Sequence, residues 1–202
     1  MKNLIMGIAI TILCSIFLIF QTDINIYQRQ MEFVHTVAEE AAATAALELV
    51  WGDEGASQDT HNYANGFIKF RSDDAAKQGL EVVKKNLRLG ENLLSTNSYF
   101  SENMTIMIYT FSQDGTYCKY VNGVKQINSQ IYTKGVNFST LCDGIYAERL
   151  ARYPASQQII INYPSTVCLI DAGKPRFKDS LGLDDLTENI VKVGHYEYKH
   201  FE

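Results

Sequence analysis

The stretch LIMGIAITILCSIFLIF, Leu4–Phe20, holds no charged residue and no proline. At 1.5 Å rise per residue it makes a helix about 25 Å long, at the short end of what crosses a bilayer. No small-residue cleavage pattern follows Phe20, where the chain reads Gln-Thr-Asp-Ile-Asn, and Leu13 ahead of Cys14 does not fit a lipoprotein signal. A retained anchor is therefore expected. Its lipid-facing residues are Leu4, Ile5, Ile8, Ile12, Leu13, Ile16, Phe17 and Phe20.

From Gln21 to Val50 the chain continues without glycine or proline, so the anchor is expected to run straight into a stem helix. Its apolar positions (Ile24, Tyr27, Met31, Val34, Ala38, Ala41, Ala45 and Leu49) recur at steps of three and four. The whole helix would measure on the order of 70 Å and end near Trp51, with Gly52 as a left-handed cap. Ala38, Ala42 and Ala46, with Ala41 and Ala45 beside them, form a small-residue stripe along which two backbones can approach closely. That stripe suits either a contact between subunits or packing beneath the protein's own domain.

Bulk composition supports a folded domain on this stem. The chain of 202 residues is 46% hydrophobic and 20% charged, apolar enough to offset chain entropy. All 23 acidic residues lie beyond Phe20, as do 17 of the 18 lysines and arginines, and the basic residues are scattered. No phosphate-binding face is expected, which argues against nucleic acid as a partner. Lys2 before the apolar run, and Asp23 after it, weight the positive-inside bias toward a cytoplasmic amino terminus and an extracytoplasmic head. The expected organisation is an anchor over residues 1–22, an alanine-rich stem helix over 23–51 and an exported α+β head over 52–202.

Within the head, Asp53–Asn62 reads as a polar loop and Phe67–Phe70 as a short strand or helix entry. Ser72, followed by Asp73 and Asp74, looks like a capped start to a second helix carrying Ala76, Leu80, Val83 and Leu87 at helical spacing. Beyond Asn97 the period falls to two. Strands are expected over Asn103–Phe111, Tyr117–Val121 and Val124–Tyr132, joined at Gln113-Asp114-Gly115 and Asn122-Gly123 to make an antiparallel meander. A helical turn or two over Ile145–Arg152, strands at Gln158–Asn162 and Thr166–Ile170, an exposed turn-rich stretch over Asp171–Asp185 and a closing strand at Ile190–Lys199 complete the reading.

Apolar helix, alanine-rich continuation, loop, second helix and meander make up the plan of pilin-like proteins. The segment EFVHTVAEEAAATAALELV, Glu32–Val50, resembles the TadE-type pseudopilins, small anchored subunits of Tad (Flp) pilus assembly. The resemblance implies a pilin-like head, a non-enzymatic role in a pilus or secretion apparatus, and assembly through the first helix with itself or with similar subunits. Pilin-like precursors that are processed carry a glycine at the cut and a glutamate five residues on. Here Gly7 is followed at that distance by Ile12, so a retained leader and a separate anchored family of the same layout both stay open.

Candidate chemistry is sparse. Cys118, Cys142 and Cys168 are candidates for one disulfide with one thiol left over, or for three reduced thiols; no close cysteine pair suggests zinc. His195 and Glu197 share a strand face, which suits a charged edge guarded by Lys199 better than a metal site. His35 and Glu39 suit a helix-surface contact. No phosphate loop, zinc helix, nucleophile elbow or dinucleotide turn is present, so neither an enzyme nor a bound cofactor is expected. The alternative to an assembly subunit is an anchored extracytoplasmic sensor or ligand-binding module.

Overall fold

The computed structural model describes residues 2–51, 68–96, 100, 103–162, 164–174 and 189–198. The chain is α+β. A single unbroken helix, α1 (Lys2–Ala46), contains both the apolar run and the alanine-rich segment in 45 residues. It ends earlier than the expected Trp51. Leu47 and Glu48 close the last turn by donating to Thr44 O and Ala45 O. The next residues, β1 (Leu49–Trp51), pair antiparallel with β2 (Ile68–Phe70). Their β-branched and aromatic side chains suit a strand better than a further helical turn. The expected cap at Gly52 and the loop Asp53–Asn62 lie outside the described residues, as does most of Asp171–Asp185.

Helix α2 (Ser72–Leu87) follows β2. Its buried positions, Ala75, Ala76, Gly79, Leu80, Val83 and Leu87, keep the spacing read from the sequence. Ser72 is the first helical residue rather than the cap; Arg71 occupies the cap without a side-chain hydrogen bond. The Ser72 hydroxyl instead accepts from Thr110 Oγ1 at 3.0 Å, tying the helix start to the sheet. Arg88, in the left-handed region at φ 51°, stops the helix before Gly90.

The meander is β3 (Thr105–Phe111), β4 (Thr116–Val121) and β5 (Val124–Ile131). Asn122 and Gly123, at φ 52° and 81°, turn the β4–β5 hairpin in the doubly left-handed form that matches strand twist. The chain then leaves the sheet through β6 (Val136–Asn137), a 3₁₀ turn (Phe138–Leu141), α3 (Gly144–Ala151) and β7 (Ile160–Ile161). It returns as β8 (Ser165–Asp171) and β9 (Val191–Glu197). Antiparallel pairing throughout gives the order β5-β4-β3-β8-β9.

Both faces of the inner strands β3, β4 and β8 are covered, although period-two strands commonly leave one face to water, and β5 at the edge stays largely exposed. Ile106, Ile108, Cys118, Tyr120, Cys168 and Ile170 pack beneath α1 and α2. Met107, Tyr109, Phe111, Val167 and Leu169 pack beneath the excursion between β5 and β8. There Phe138 meets Tyr109 edge-on at 4.9 Å between ring centres, and Tyr132 meets Phe111 at 5.2 Å. The head is thus three layers deep, with the second half of α1 inside it.

Candidate functional site

The two halves of α1 stand in opposite surroundings. From Ile5 to Phe20 the large apolar side chains are 50–72% exposed, including Ile5, Ile8, Ile12, Leu13, Ile16, Phe17 and Phe20. Leu4 lies within the same helix. The helix is long and apolar enough to cross a membrane, with a mean hydropathy of 2.2 over its most apolar window. Its hydroxyls are satisfied internally: Thr11, Ser15 and Thr22 donate to carbonyls four residues back.

Further along the helix the small residues are withdrawn from solvent. Ala38, Ala41, Ala42 and Ala45 are fully buried, and Ala46 is nearly so. The partners belong to the protein's own head. A Cβ placed on Gly194 of β9 would lie 2.1–2.2 Å from the backbone of Ala38 and Glu39, so only glycine permits this crossing. Thr166 Oγ1 of β8 donates to Ala42 O. On the other side Gly79 of α2 meets Ala41 O and the Ala45 methyl. Alanine on the stem and glycine on its partners let three elements meet almost backbone to backbone. Ala38, Ala41, Ala42 and Ala45 therefore serve packing within the chain. The stem surface turned outward carries Glu32, Phe33, His35, Thr36, Glu39 and Glu40, with Phe33 48% exposed.

The cysteines do not come together. Cys118 and Cys168 flank β3 on the helix-covered face, opposite Thr110 and Ile108, so an intervening strand keeps them about 10 Å apart. Cys142 belongs to the other core. Disulfide geometry requires Cα atoms closer than about 7 Å. Of the two alternatives the sequence left open, the structure has three separate buried thiols and no bridge among them. Burial pushes Cys142 up to about 11 and Cys168 up to about 12, so both stay protonated at neutral pH and are poor nucleophiles.

Strand β9 is an edge of the sheet, as expected, but His195 and Glu197 lie half-buried on its face that also buries Val191 and Val193 rather than fully solvated. Among the described residues no group of three or more His, Cys, Asp and Glu could hold a metal ion. His35 and Glu39 approach to 3.4 Å on the exposed side of α1. His61, Lys199 and His200 lie outside the described residues.

Two features escaped the sequence reading. Lys119, the one charged side chain in β4, is 6% exposed and donates to Asp143 Oδ2 ahead of α3. Its ammonium also lies 5.7 Å from the centre of the Tyr109 ring. A lysine alternating with Tyr117 and Val121 was the available signal, but its partner comes from a segment without regular period. Gly194 within a strand was the other, since an isolated strand glycine often marks close backbone approach.

The head also carries a polar groove of about 450 Å³, lined by Ser72, Asp73, Asp114, Thr116, Lys125 and Asn128 among others. The Lys125 ammonium, 2.8 Å from Asp73, and the Tyr120 hydroxyl, donating at 2.7 Å, hold the Asp73 carboxyl below its ordinary value. Comparison of the chain with protein-family models, characterised proteins and solved structures finds no match.

Proposed function

We propose that this chain is a non-enzymatic, single-pass membrane subunit of pilin-like build, assembling through its N-terminal helix in a pilus or secretion apparatus. The observation that carries the reading is the division along α1, whose exposed apolar half continues without a break into a half locked in the head. A helix so built transmits force and orientation between the bilayer and the folded domain. Lys2 supports placing the amino terminus in the cytoplasm and the head outside it.

Because the alanine stripe is filled by the protein's own sheet, contact between subunits falls to the remainder of the helix. Gly7, Thr11 and Ser15 offer small residues at four-residue spacing within the apolar run, and no atom lies within 4 Å of a Cβ placed on Gly7. Cys14 is exposed two turns beyond Gly7 on the same stripe. Oxidative crosslinking in native membranes tests the assembly: Cys14 should link copies or join the chain to another small anchored subunit, and Gly7→Leu should reduce the yield. A chain that stays uncrosslinked, and that is recovered with signalling proteins instead, would contradict it.

The second reading, an anchored sensor or ligand-binding module, is favoured by the polar groove at the start of α2. The space between α2 and the sheet supports it less, being filled by Leu80, Val83, Leu87, Ile106, Ile108 and Tyr120.

A further inference from the structure

A second cleft, of about 210 Å³, lies at the opposite end of the head from the groove, where α1 enters it. Its walls include Tyr27 and Met31 of α1, Arg149 and Arg152 from the α3 region, and Asn189 and Lys192 at the start of β9. We propose that this cleft binds the phosphate of an anionic phospholipid headgroup, fixing the height and tilt of the head on the bilayer. The inference rests on the membrane-anchored reading of α1.

Position and charge carry it together. Strand β9 runs in the same direction as α1, since Gly194 sits against Ala38 while Ala42 meets Thr166, the partner of Tyr196. The start of β9 therefore faces the turns of α1 nearest the apolar run. Tyr27 follows Phe20 by about 10 Å of helix rise, and Met31 by about 16 Å. The Leu4–Phe20 segment spans about 25 Å, less than the roughly 30 Å of a hydrocarbon core, so the next turn is drawn toward the interface. Tyr27 then stands at headgroup level, where tyrosine is favoured, and the arginine and lysine stems reach the phosphates beside it.

Among the described residues the lining holds three cations, Arg149, Arg152 and Lys192, and no acid. Arg149 Nη1 donates to Asn189 O at 3.1 Å, which fixes one guanidinium against the cleft wall. Asp171, at the end of β8, accepts from the Tyr146 hydroxyl at 3.0 Å and does not line the cleft. A planar guanidinium beside an ammonium is the donor set that suits a phosphate diester.

The test reconstitutes the full chain in vesicles of phosphatidylcholine mixed with phosphatidylglycerol. Native mass spectrometry then counts the lipids that remain bound after gentle release. The wild type should retain phosphatidylglycerol in excess of its share of the bilayer. Lys192→Gln should lower that excess about fivefold with unchanged thermal unfolding, and Arg152→Gln should lower it as far, its folded state verified by the same unfolding measurement; Arg149 is left in place because it also holds Asn189. Retention in the bilayer's own proportions, or variants that keep the wild-type excess, would overturn the cleft while leaving the anchor intact. Displacement of phosphatidylglycerol by inorganic phosphate alone would show a free-anion site and overturn it as well. A protein that fails to float with vesicles of either composition would overturn the cleft and the anchor together.

Discussion

Ile5–Phe20 and Val34–Ala46 belong to one helix and obey opposite rules. In the first stretch large apolar side chains stand exposed, Leu13 the most at 72%. In the second, side chains as small as alanine are withdrawn completely. Water would favour the reverse, since burial of a leucine or isoleucine gains far more than burial of an alanine methyl. The contrast follows if hydrocarbon is the solvent of the first half. For the second half the constraint is distance: the backbone of Ala38 and Glu39 lies so close to β9 that only glycine fits at position 194.

Alkali should separate the halves most strongly. Burial, the first cause in each case, raises Tyr109, Tyr117, Tyr120, Tyr132, Tyr146 and Tyr153, with Tyr132 and Tyr146 pushed up to about 12. The unfolded chain releases these protons near pH 10. The stabilisation is therefore whole below pH 10 and is lost as pH climbs from 10 toward 12, at up to about 1.4 kcal/mol per pH unit each for Tyr132 and Tyr146, with the other raised tyrosines adding in the same direction. The head should unfold cooperatively in that window, with tyrosinate absorbance and loss of sheet circular dichroism rising together. No tyrosine precedes Tyr27, so the protein should stay in the bilayer; its release would break the contrast.

Gly194→Ala should come next. Its methyl would stand 2.1–2.2 Å from the backbone of Ala38 and Glu39, and the stem must shift off β9. A loss of about 4 kcal/mol or more in thermal or denaturant unfolding is expected. Leu13→Ala, on the exposed half, should change head stability by less than about 0.5 kcal/mol.

Ile12→Lys should invert that pattern. A lysine at the centre of the apolar half costs about 3 kcal/mol of insertion. Membrane fractionation should show the protein lost from the bilayer while head unfolding is unchanged. A smaller loss than that of Gly194→Ala is expected of Ala42→Leu, which overpacks the seat beneath Thr166 by about 1–3 kcal/mol. Equal stability of this variant and the wild type would return the alanine face to the list of subunit contacts.

What was legible in the sequence had a period or a turn signature. The apolar run, α2 and the meander through Asn122-Gly123 each repeat a local rule that tertiary packing did not override. The end of α1 at Ala46 was not legible, because Leu49–Trp51 becomes a strand only through a partner about twenty residues later. The third layer was hidden for a related reason: Phe138, Leu150 and Ile161 lie on three short elements with no common spacing. Neither choice of partner for the alanines nor the separation of Cys118 from Cys168 by β3 can be read from composition. Both depend on β8 pairing with β3 after the excursion crosses the sheet face.

Cys14 gives the most direct test of where the apolar half resides. Among the described cysteines it is the exposed one, whereas Cys118, Cys142 and Cys168 are buried. A nitroxide attached to Cys14 of the reconstituted protein reports its collisions with dissolved oxygen and with a water-soluble nickel chelate. Frequent oxygen collisions with few nickel collisions are expected from a side chain in hydrocarbon. Ready access for the nickel chelate would contradict the account.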